Sequence, residues 1–509
     1  MENYRLSTAI FSAETKSMHR TRLISFVASA ALALILLSAT AGAQAAGRGT
    51  ENGRMTITTS SPEALALFEQ GVVEWENLHI SRALEHWQKA IDKDPNFLLA
   101  HLYISERIPD PGQQAAERKK VLDLMGSVTP GEQLMAQWII ADSRGDTIAA
   151  LSAMNELLGR YPRDKHLYWF AALSMGANYH QWERSAELAE QAVSVDPDFA
   201  GALNNLGYDY AFQGKFDKAL PVMRHYIEVL PGEPNPQDSY AEILRMAGHF
   251  DEAVEHYHAA LKIEPNFGES LLGLADTYAL MGKEDEARAQ YGVAIQHAYT
   301  KAYSVMWKLK WAATYLRENR LQDTDAAFQQ AAAIAHGNSV GTLEAEAYRI
   351  MALYQKDDAL ASRWLKKALE VLDHPHDTSR NARQQELALI HRTEIHRAIQ
   401  SGKSSTAAEI LAQLNKMSEE SHNPNIDLAY HASAGMVLVA RHKWLEAIPH
   451  LEEDSNDPFS MELLVTAYQK AGLTAKSEKM ARALSAFNAP TVEQALVVPA
   501  FRSKKNKGN

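Results

Sequence analysis

The stretch that decides the fold is residues 200–233, AGALNNLGYDYAFQGKFDKALPVMRHYIEVLPGE, the first of three consecutive 34-residue blocks that end at Lys301. Six sets of three similar residues keep a step of 34 through these blocks, and one of the sets, the prolines, begins just before the first block. These sets are Pro197, Pro231, Pro265; Gly207, Ala241, Ala275; Tyr210, Leu244, Tyr278; Gly214, Gly248, Gly282; Ala219, Ala253, Ala287; and Met223, Tyr257, Tyr291. A fixed period of this length predicts an array of repeated structural units.

Each block is predicted to form two helices joined by a tight turn. In the first block Leu203, Gly207 and Tyr210 fall on one face of the first helix, at three- and four-residue spacing. Gly214 follows that helix at the position where a left-handed residue usually ends one. Pro231 stops the second helix, because proline has no amide donor and clashes with the preceding turn.

Hairpins of this size need neighbours, because one pair of helices cannot bury its own apolar face. Weaker copies of the pattern flank the three central blocks, and the sequence shows no alternating run of β-branched residues that would indicate a strand. We therefore predict an all-α fold, an α-solenoid of about eleven helix-turn-helix units over residues 63–490 that forms a right-handed superhelix. Residues 98–130 are degenerate in this register, and residues 376–387 are a polar insertion.

Residues 1–45 are predicted to be a signal peptide. Met18–Arg22 is a basic start, Leu23–Ala41 is uncharged with an apolar centre, and two overlapping small-x-small cleavage sites follow, the second ending at Ala45. An uncleaved signal anchor is the alternative, because about 20 apolar residues can span a bilayer. We expect an exported protein in the periplasm or outside the cell or, in the alternative, one anchored in the cytoplasmic membrane and facing outward.

Charge and cysteine content narrow the classes of partner. The chain of 509 residues has 51 Lys and Arg, 63 Asp and Glu and no Cys, a net charge of −12. Removing residues 1–45 takes away four basic and two acidic residues, which leaves 47 against 61 and a net charge of −14. This balance disfavours nucleic acid and anionic membrane surfaces as partners. The lack of cysteine excludes disulfides, so helix packing must supply the stability.

Two further segments are assigned by composition. Residues 46–62 are polar and rich in Thr and Ser, and we expect them to be a linker. Residues 491–509 are expected to be a basic, disordered tail, because Arg502 and three lysines cluster there. Whether the chain starts at Met1 or at Met18 stays open.

The spacing of Leu206, Gly207, Tyr208 and Tyr210, followed by the turn glycine and the terminal proline, resembles the tetratricopeptide repeat (TPR) family across nearly the whole mature chain. The seam PNPQDSYAE at 234–242 and the start TTSSPEAL at 58–65 are similar to a subgroup of exported bacterial TPR proteins that stand alone after a signal peptide. The resemblance implies protein–protein interaction through a concave groove, without enzymatic activity.

The resemblance also implies which side chains line that groove, namely those on the outer side of each first helix. Relatives that capture C-terminal carboxylates use a Lys and Asn pair, but here the lysine is missing and acids stand where bases are needed. An acidic, partly aromatic groove favours a basic or apolar segment of a protein or peptide partner. The predicted groove residues are Asn204, Asn205, Tyr208, Phe212, Asp238, Glu242, Arg245 and Asp276.

We predict no catalytic residue, no cofactor site and no metal site. Residues 337–341 match G-x-S-x-G around Ser339, but a nucleophile elbow needs a preceding strand, and this stretch lies between two predicted helices. His256 and His258 are two residues apart, whereas two imidazoles on one helix face need a spacing of three or four.

Three hypotheses follow. The first is an exported TPR scaffold that binds a partner segment in its groove. The second is a membrane-anchored structural or assembly factor of an envelope complex. The third is a hydrolase that uses Ser339.

Overall fold

The computed structural model of the chain describes residues 53–77, 79–108, 111–144, 146–374, 380–421 and 423–507. These residues form 25 α-helices, one short 3-10 helix and no strand, which confirms the all-α solenoid class. The described residues divide into two compact units. Unit 1 comprises 53–171 and 194–197, and unit 2 comprises 172–193 and 198–507. The predicted signal peptide lies outside the described residues.

The helices alternate as the first (A) and second (B) members of twelve consecutive hairpins, which we number 1 to 12. The A helices are α1 (Pro62–Glu76), α3 (Leu98–Arg107), α5 (Pro130–Ser143), α7 (Lys165–Ala177), α9 (Ala200–Phe212), α11 (Pro234–Ala247), α13 (Gly268–Leu280), α15 (Lys301–Arg317), α17 (Gly341–Tyr354), α19 (Arg380–Gln400), α21 (Pro424–Ala440) and α23 (Pro458–Lys470). The B helices are α2 (Ile80–Lys93), α4 (Pro111–Leu124), α6 (Thr147–Arg160), α8 (Trp182–Val195), α10 (Phe216–Val229), α12 (Phe250–Ile263), α14 (Glu284–Gln296), α16 (Leu321–Gly337), α18 (Asp358–Asp373), α20 (Ser404–Ser421), α22 (Trp444–Glu453) and α24 (Thr474–Ser485). A last helix, α25 (Val492–Lys507), follows hairpin 12.

The three central blocks fold in the predicted register. α9, α11 and α13 begin 34 residues apart, and the turn glycines Gly214, Gly248 and Gly282 have φ of 70°, 88° and 73°. Only glycine adopts this left-handed region without a steric cost. Gly207 allows a close approach of the two helices, because a Cβ added there would lie 2.6 Å from the Cε of Met223. The central hairpins therefore form because their small residues stand where backbones approach or reverse.

The stretch predicted to be a distorted repeat forms a hairpin, and the described residues contain twelve hairpins where the sequence predicts about eleven. α3 ends at Arg107, and α4 begins at Pro111, followed by a 3-10 turn, Met125–Ser127. Proline fits the first turn of a helix because its missing amide is not needed there. The two helices are joined by a hydrogen bond between His101 Nδ1 and Glu117 Oε2, 2.5 Å apart.

The described part of the predicted linker lies against unit 1 in an extended conformation. Its backbone amides donate to carboxylates in three places: Met55 N to Asp164 Oδ2, just after hairpin 3, at 3.1 Å, Thr58 N to Glu132 Oε1, on α5, at 2.8 Å and Ser60 N to Asp94 Oδ2, just after hairpin 1, at 2.7 Å. Residues 53–60 therefore form a strap along hairpins 1 to 3. The composition predicts a linker here. The described residues 53–60 are instead bound to unit 1, because their amides donate to carboxylates far away in the sequence.

The predicted disordered tail is also different in the structure. Residues 492–507 form α25, and Val497 and Val498 are buried in the apolar cluster of hairpins 11 and 12. The prediction rested on the basic residues near Arg502. It did not use the apolar residues before them, such as Val497 and Val498, which pack on hairpin 12.

Unit 2 closes on itself through contacts between distant hairpins. His180 Nε2, at the turn of hairpin 4, lies 3.1 Å from Asn425 Oδ1 at the start of hairpin 11. Asn488 Nδ2, after hairpin 12, donates to the carbonyl of Met246 at 3.4 Å. These contacts bring the beginning and the end of unit 2 together.

Candidate functional site

The eight predicted groove residues lie on the A helices of hairpins 5 to 7, within unit 2. Successive A helices contact one another, and we call the side that they form the A face. Four of the eight, Tyr208, Glu242, Arg245 and Asp276, are joined by hydrogen bonds across the three helices. The other four, Asn204, Asn205, Phe212 and Asp238, lie beside this line and make separate contacts.

The line of bonds follows the 34-residue period. Tyr208 OH donates to Glu242 Oε2 at 2.8 Å, and Lys310 Nζ donates to Asp276 Oδ2 at 2.9 Å. These four residues occupy the same position of hairpins 5, 6, 7 and 8. Arg245 bridges the middle of the line, with Nη2 2.5 Å from Glu242 Oε1 and Nη1 3.3 Å from Asp276 Oδ2. One side chain per hairpin therefore builds a continuous polar line along the A face.

Arg245 and Asp276 are each only 3% exposed, so their interaction is a buried one. The Tyr291 hydroxyl donates to Asp276 Oδ1 at 2.5 Å, which gives this carboxylate a partner from α14 as well as cations from two neighbouring A helices. A buried ion pair of this kind fixes geometry, because loss of one partner leaves the other charge uncompensated. Arg245 and Asp276 consequently hold hairpins 6 and 7 in register.

Asn205 and Phe212 stabilise the hairpin 4–5 junction of unit 2. Asn205 Nδ2 donates to Asp209 Oδ2 at 2.6 Å and to Ser185 Oγ at 3.1 Å. Burial raises the pKa of Asp209 well above its usual value. Phe212 is buried, with its ring 4.3 Å from that of Trp182.

Two acids with raised pKa values, Asp238 and Glu269, lie beside the polar line, and we call this pair the acceptor site. Asp238 accepts a hydrogen bond from Ser270 Oγ at 2.7 Å, and burial raises the pKa of Asp238 to about 7. Burial, with the charge of Asp238 as the next cause, raises the pKa of Glu269 to about 8. Glu269 Oε2 is buried and accepts no hydrogen bond from any residue that the structure describes, and the same holds for Asn204 Oδ1 on α9. The A helices of hairpins 5 and 7 therefore carry acceptor capacity that the described protein does not use.

Ser270 and Lys310 contact the site but are not among the residues that the sequence predicts for it. The 34-residue step from Asp276 leads directly to Lys310, so the period carried that signal. No pattern in the sequence distinguishes the unsatisfied Glu269 oxygen from that of a solvated surface acid, because its state depends on burial.

The G-x-S-x-G match at residues 337–341 lies between two helices and not after a strand. Ser339 stands in the turn between hairpins 8 and 9 with φ of 58°, preceded and followed by helices. In the described ranges there is no group of three or more His, Cys, Asp or Glu placed to hold a metal ion. Among the helices that the structure describes, none combines the length and hydropathy needed to cross a membrane.

Comparison with known proteins places a family match on a segment that includes Arg245 and Asp276 of the polar line. A tetratricopeptide repeat family model matches residues 244–304. The tRNA U34 carboxymethyltransferase of Psychromonas ingrahamii is 26% identical over 140 residues, which cover 24% of this chain and 38% of that protein. The anaphase-promoting complex subunit CDC16 of Saccharomyces cerevisiae is 24% identical over 273 residues, which cover 53% of this chain and 29% of the subunit. This chain thus spans well under half the length of either relative.

Solved structures of tetratricopeptide repeat proteins also align. A thermophilic protein of Thermus thermophilus is 22% identical, with a TM-score of 0.31 over 35% of this chain and 96% of that one. A protein of Parabacteroides merdae is 16% identical, with a TM-score of 0.35 over 61% of this chain and 100% of that one. The matched segment 244–304, together with the 34-residue register and the alternating A and B helices, shows that the chain contains tetratricopeptide repeats.

Proposed function

We propose that the chain is a non-catalytic scaffold that binds a basic segment of another protein on the A face of hairpins 5 to 7. The observation that carries this proposal is that Asn204 Oδ1, on the A helix of hairpin 5, and Glu269 Oε2, on that of hairpin 7, are buried without a donor from the described residues. A buried acceptor without a partner costs about 1–3 kcal/mol. A guanidinium or ammonium group supplies several N–H donors and no acceptor, so the basic side chains of a bound segment would satisfy such acceptors.

The charge of this part of the A face supports the same chemistry. Glu242, Asp238, Glu269 and Asp276 are acids, whereas the cations of the line, Arg245 and Lys310, already bond to Glu242 and Asp276. Asp238 and Glu269 have pKa values of about 7 and about 8 in the free protein. A cation placed beside them favours their ionised forms, so binding of a basic segment would release protons near neutral pH.

A scaffold without catalysis agrees with the position of Ser339. A nucleophile elbow presents its serine at a sharp turn from a strand into a helix. Ser339 instead follows the B helix of hairpin 8. We extend the proposal to location: the basic start, apolar stretch and cleavage sites of residues 1–45 support export, with the membrane-anchored assembly factor as the alternative. N-terminal sequencing of the mature protein separates the two, because a start near residue 44 or 46 supports cleavage.

A photo-activated amino acid at position 204 tests the binding face in the native cell. We expect crosslinked products that mass spectrometry maps to a segment of another protein containing Arg or Lys. The matched control is position 228, because Glu228 is exposed on the B helix of the same hairpin. Equal yields from the two positions, or products that map to acidic segments, would contradict the proposal.

A further inference from the structure

The inner end of α25 contacts a hairpin that lies far from it in the sequence. Arg317, on α15 of hairpin 8, donates through Nη1 to Gln494 Oε1 at 2.5 Å and through Nη2 to the Thr491 carbonyl at 3.3 Å. Gln494 is 3% exposed, and Thr491 Oγ1 accepts from the Gln494 amide at 3.0 Å, which caps the helix. The first turn of α25 is therefore held on the A face of hairpin 8.

The two ends of α25 pack on different hairpins. Val492 contacts the apolar cluster of hairpins 8 and 9, whose buried members include Val305 and Leu309. Val497 and Val498 are buried against hairpins 11 and 12 instead. Leu496, one helical turn after Val492, contacts both clusters. The start of α25 thus behaves as a ligand of hairpins 8 and 9, whereas its second half covers the end of the array.

Charged groups surround the first turn of α25 on all sides. Arg349 and Arg392, on the A helices of hairpins 9 and 10, act electrostatically on Glu493 from one side, and Asp457 acts on it from hairpin 12. Burial, followed by the charge of Asp457, raises the pKa of Glu493, while the two arginines favour its ionised form. The same arginines are paired with acids of the array, Arg349 Nε with Glu386 at 2.7 Å and Arg392 Nη2 with Asp457 at 2.8 Å.

We propose that the A face of hairpins 8 to 10 is a second binding surface, a groove for an amphipathic helix, and that its occupant is α25 of the same chain. The groove selects a helix whose first turn carries one acid and one amide and whose apolar residues lie one turn apart. α25 leaves the groove reversibly, and an added helix of the same chemistry then takes its place. This surface is separate from the binding surface proposed for hairpins 5 to 7.

The contacts explain why α25 leaves the groove without unfolding the array. The apolar anchors of the first half are Val492 and Leu496, at about 1.5–3 kcal/mol for each fully buried side chain. Burial of a charge beside its partners adds little net stability, because desolvation offsets the attraction. Hairpins 8 to 10 keep their own apolar clusters when α25 is absent, since those clusters are built from A and B helices.

The test uses a fluorescein-labelled peptide of residues 488–504 and the full chain. Because an attached helix competes at an effective concentration of about 1 mM, we expect no binding to the natural chain at micromolar peptide. Leu496→Asp in the chain loosens α25, and we expect its affinity for the peptide to be at least about tenfold higher, a change equivalent to 1.4 kcal/mol. A peptide that carries Leu496→Asp itself is the control and should not bind. Equal anisotropy curves for the natural and loosened chains would overturn the proposal.

A second measurement keeps the proposal testable if Leu496→Asp unfolds the chain. The chain has no cysteine, so Val498→Cys and Ala331→Cys each introduce a single thiol at a position that is 0% exposed, the first in α25 and the second in the core of hairpin 8. Local opening predicts that a thiol reagent modifies residue 498 at least about tenfold faster than residue 331, because core residues react only after larger openings. Equal rates would show that α25 opens only when the array unfolds, and would overturn the proposal.

Discussion

Hairpins 5 to 7 and hairpins 8 to 10 share one backbone plan but present opposite chemistry on the A face. The first group carries Asp238, Glu242 and Glu269, with two buried acceptors that no described residue satisfies. The second group carries Arg317, Arg349 and Arg392, and the acid and amide of α25 lie among them. The 34-residue register fixes where a side chain points, and the residue type at that position decides what it binds.

The comparison also shows how a repeat array obtains different surfaces from equal units. Tyr208, Glu242, Asp276 and Lys310 occupy one position in four successive hairpins and carry four different side chains. The core positions of the same hairpins remain small or aromatic, because they must fit between neighbouring helices. Variation at the A face therefore changes the partner without changing the fold.

The largest expected effect comes from breaking the line of bonds in hairpins 5 to 7. Arg245→Ala removes the buried cation that bridges the partly exposed Glu242 and the buried Asp276, which keeps Lys310 as its remaining cation. We expect the free energy of unfolding to fall by about 3–5 kcal/mol, as when one partner of a buried ion pair is removed. Urea unfolding followed by circular dichroism measures this change.

The control for this variant is Arg224→Ala, because Arg224 is an exposed arginine on α10. We expect it to change stability by less than about 1 kcal/mol, as is usual for surface positions. If both variants destabilise the chain equally, the buried line does not hold hairpins 6 and 7 together.

A smaller effect on stability is expected at Glu269 of the acceptor site, and it depends on pH. The pKa of Glu269 is about 8 when folded, above the ordinary value of 4.5, so the folded state binds the proton more tightly than the unfolded state. Its stabilising contribution is complete below pH 4.5 and is lost as the pH rises through 8. Glu269→Gln removes this loss, and we expect the variant to gain on the order of 1–3 kcal/mol over the natural chain at pH 9.

Thermal or urea unfolding at pH 5 and pH 9 measures this difference. Glu255→Gln on the exposed side of α12 is the matched control and should leave the pH dependence unchanged. A natural chain and a Glu269→Gln variant with the same slope against pH would show that Glu269 is not buried as described.

Much of the fold could be predicted from the sequence, because the hairpin signals are local. The starts of α9, α11 and α13 and the left-handed glycines follow from spacing alone. The composition predicts a linker at 46–62 and a disordered tail at 491–509, whereas the structure has a strap at 53–60 and helix α25. Composition misses both elements, because their partners lie tens to hundreds of residues away.

The same contrast between local signals and distant partners applies to the candidate site. The side chains of the polar line could be predicted from the 34-residue step, which places Tyr208, Glu242 and Asp276 in one row. Their partners could not, because a pairing such as Asp238 with Ser270 depends on the distance between helices. The unsatisfied oxygen of Glu269 follows only from burial, which no local pattern encodes.

The most direct test of the account is a titration of the full chain with a labelled peptide of alternating Arg and Ala, with a Glu and Ala peptide for comparison. We expect saturable binding of the arginine peptide only, weakened at least about tenfold by Glu242→Gln combined with Glu269→Gln, since a charged hydrogen bond contributes about 1.5–3 kcal/mol. Glu255→Gln should leave the affinity unchanged. Equal binding of the two peptides would contradict the claim that hairpins 5 to 7 recognise a basic segment. An equal loss of affinity in the double variant and in Glu255→Gln would contradict it as well.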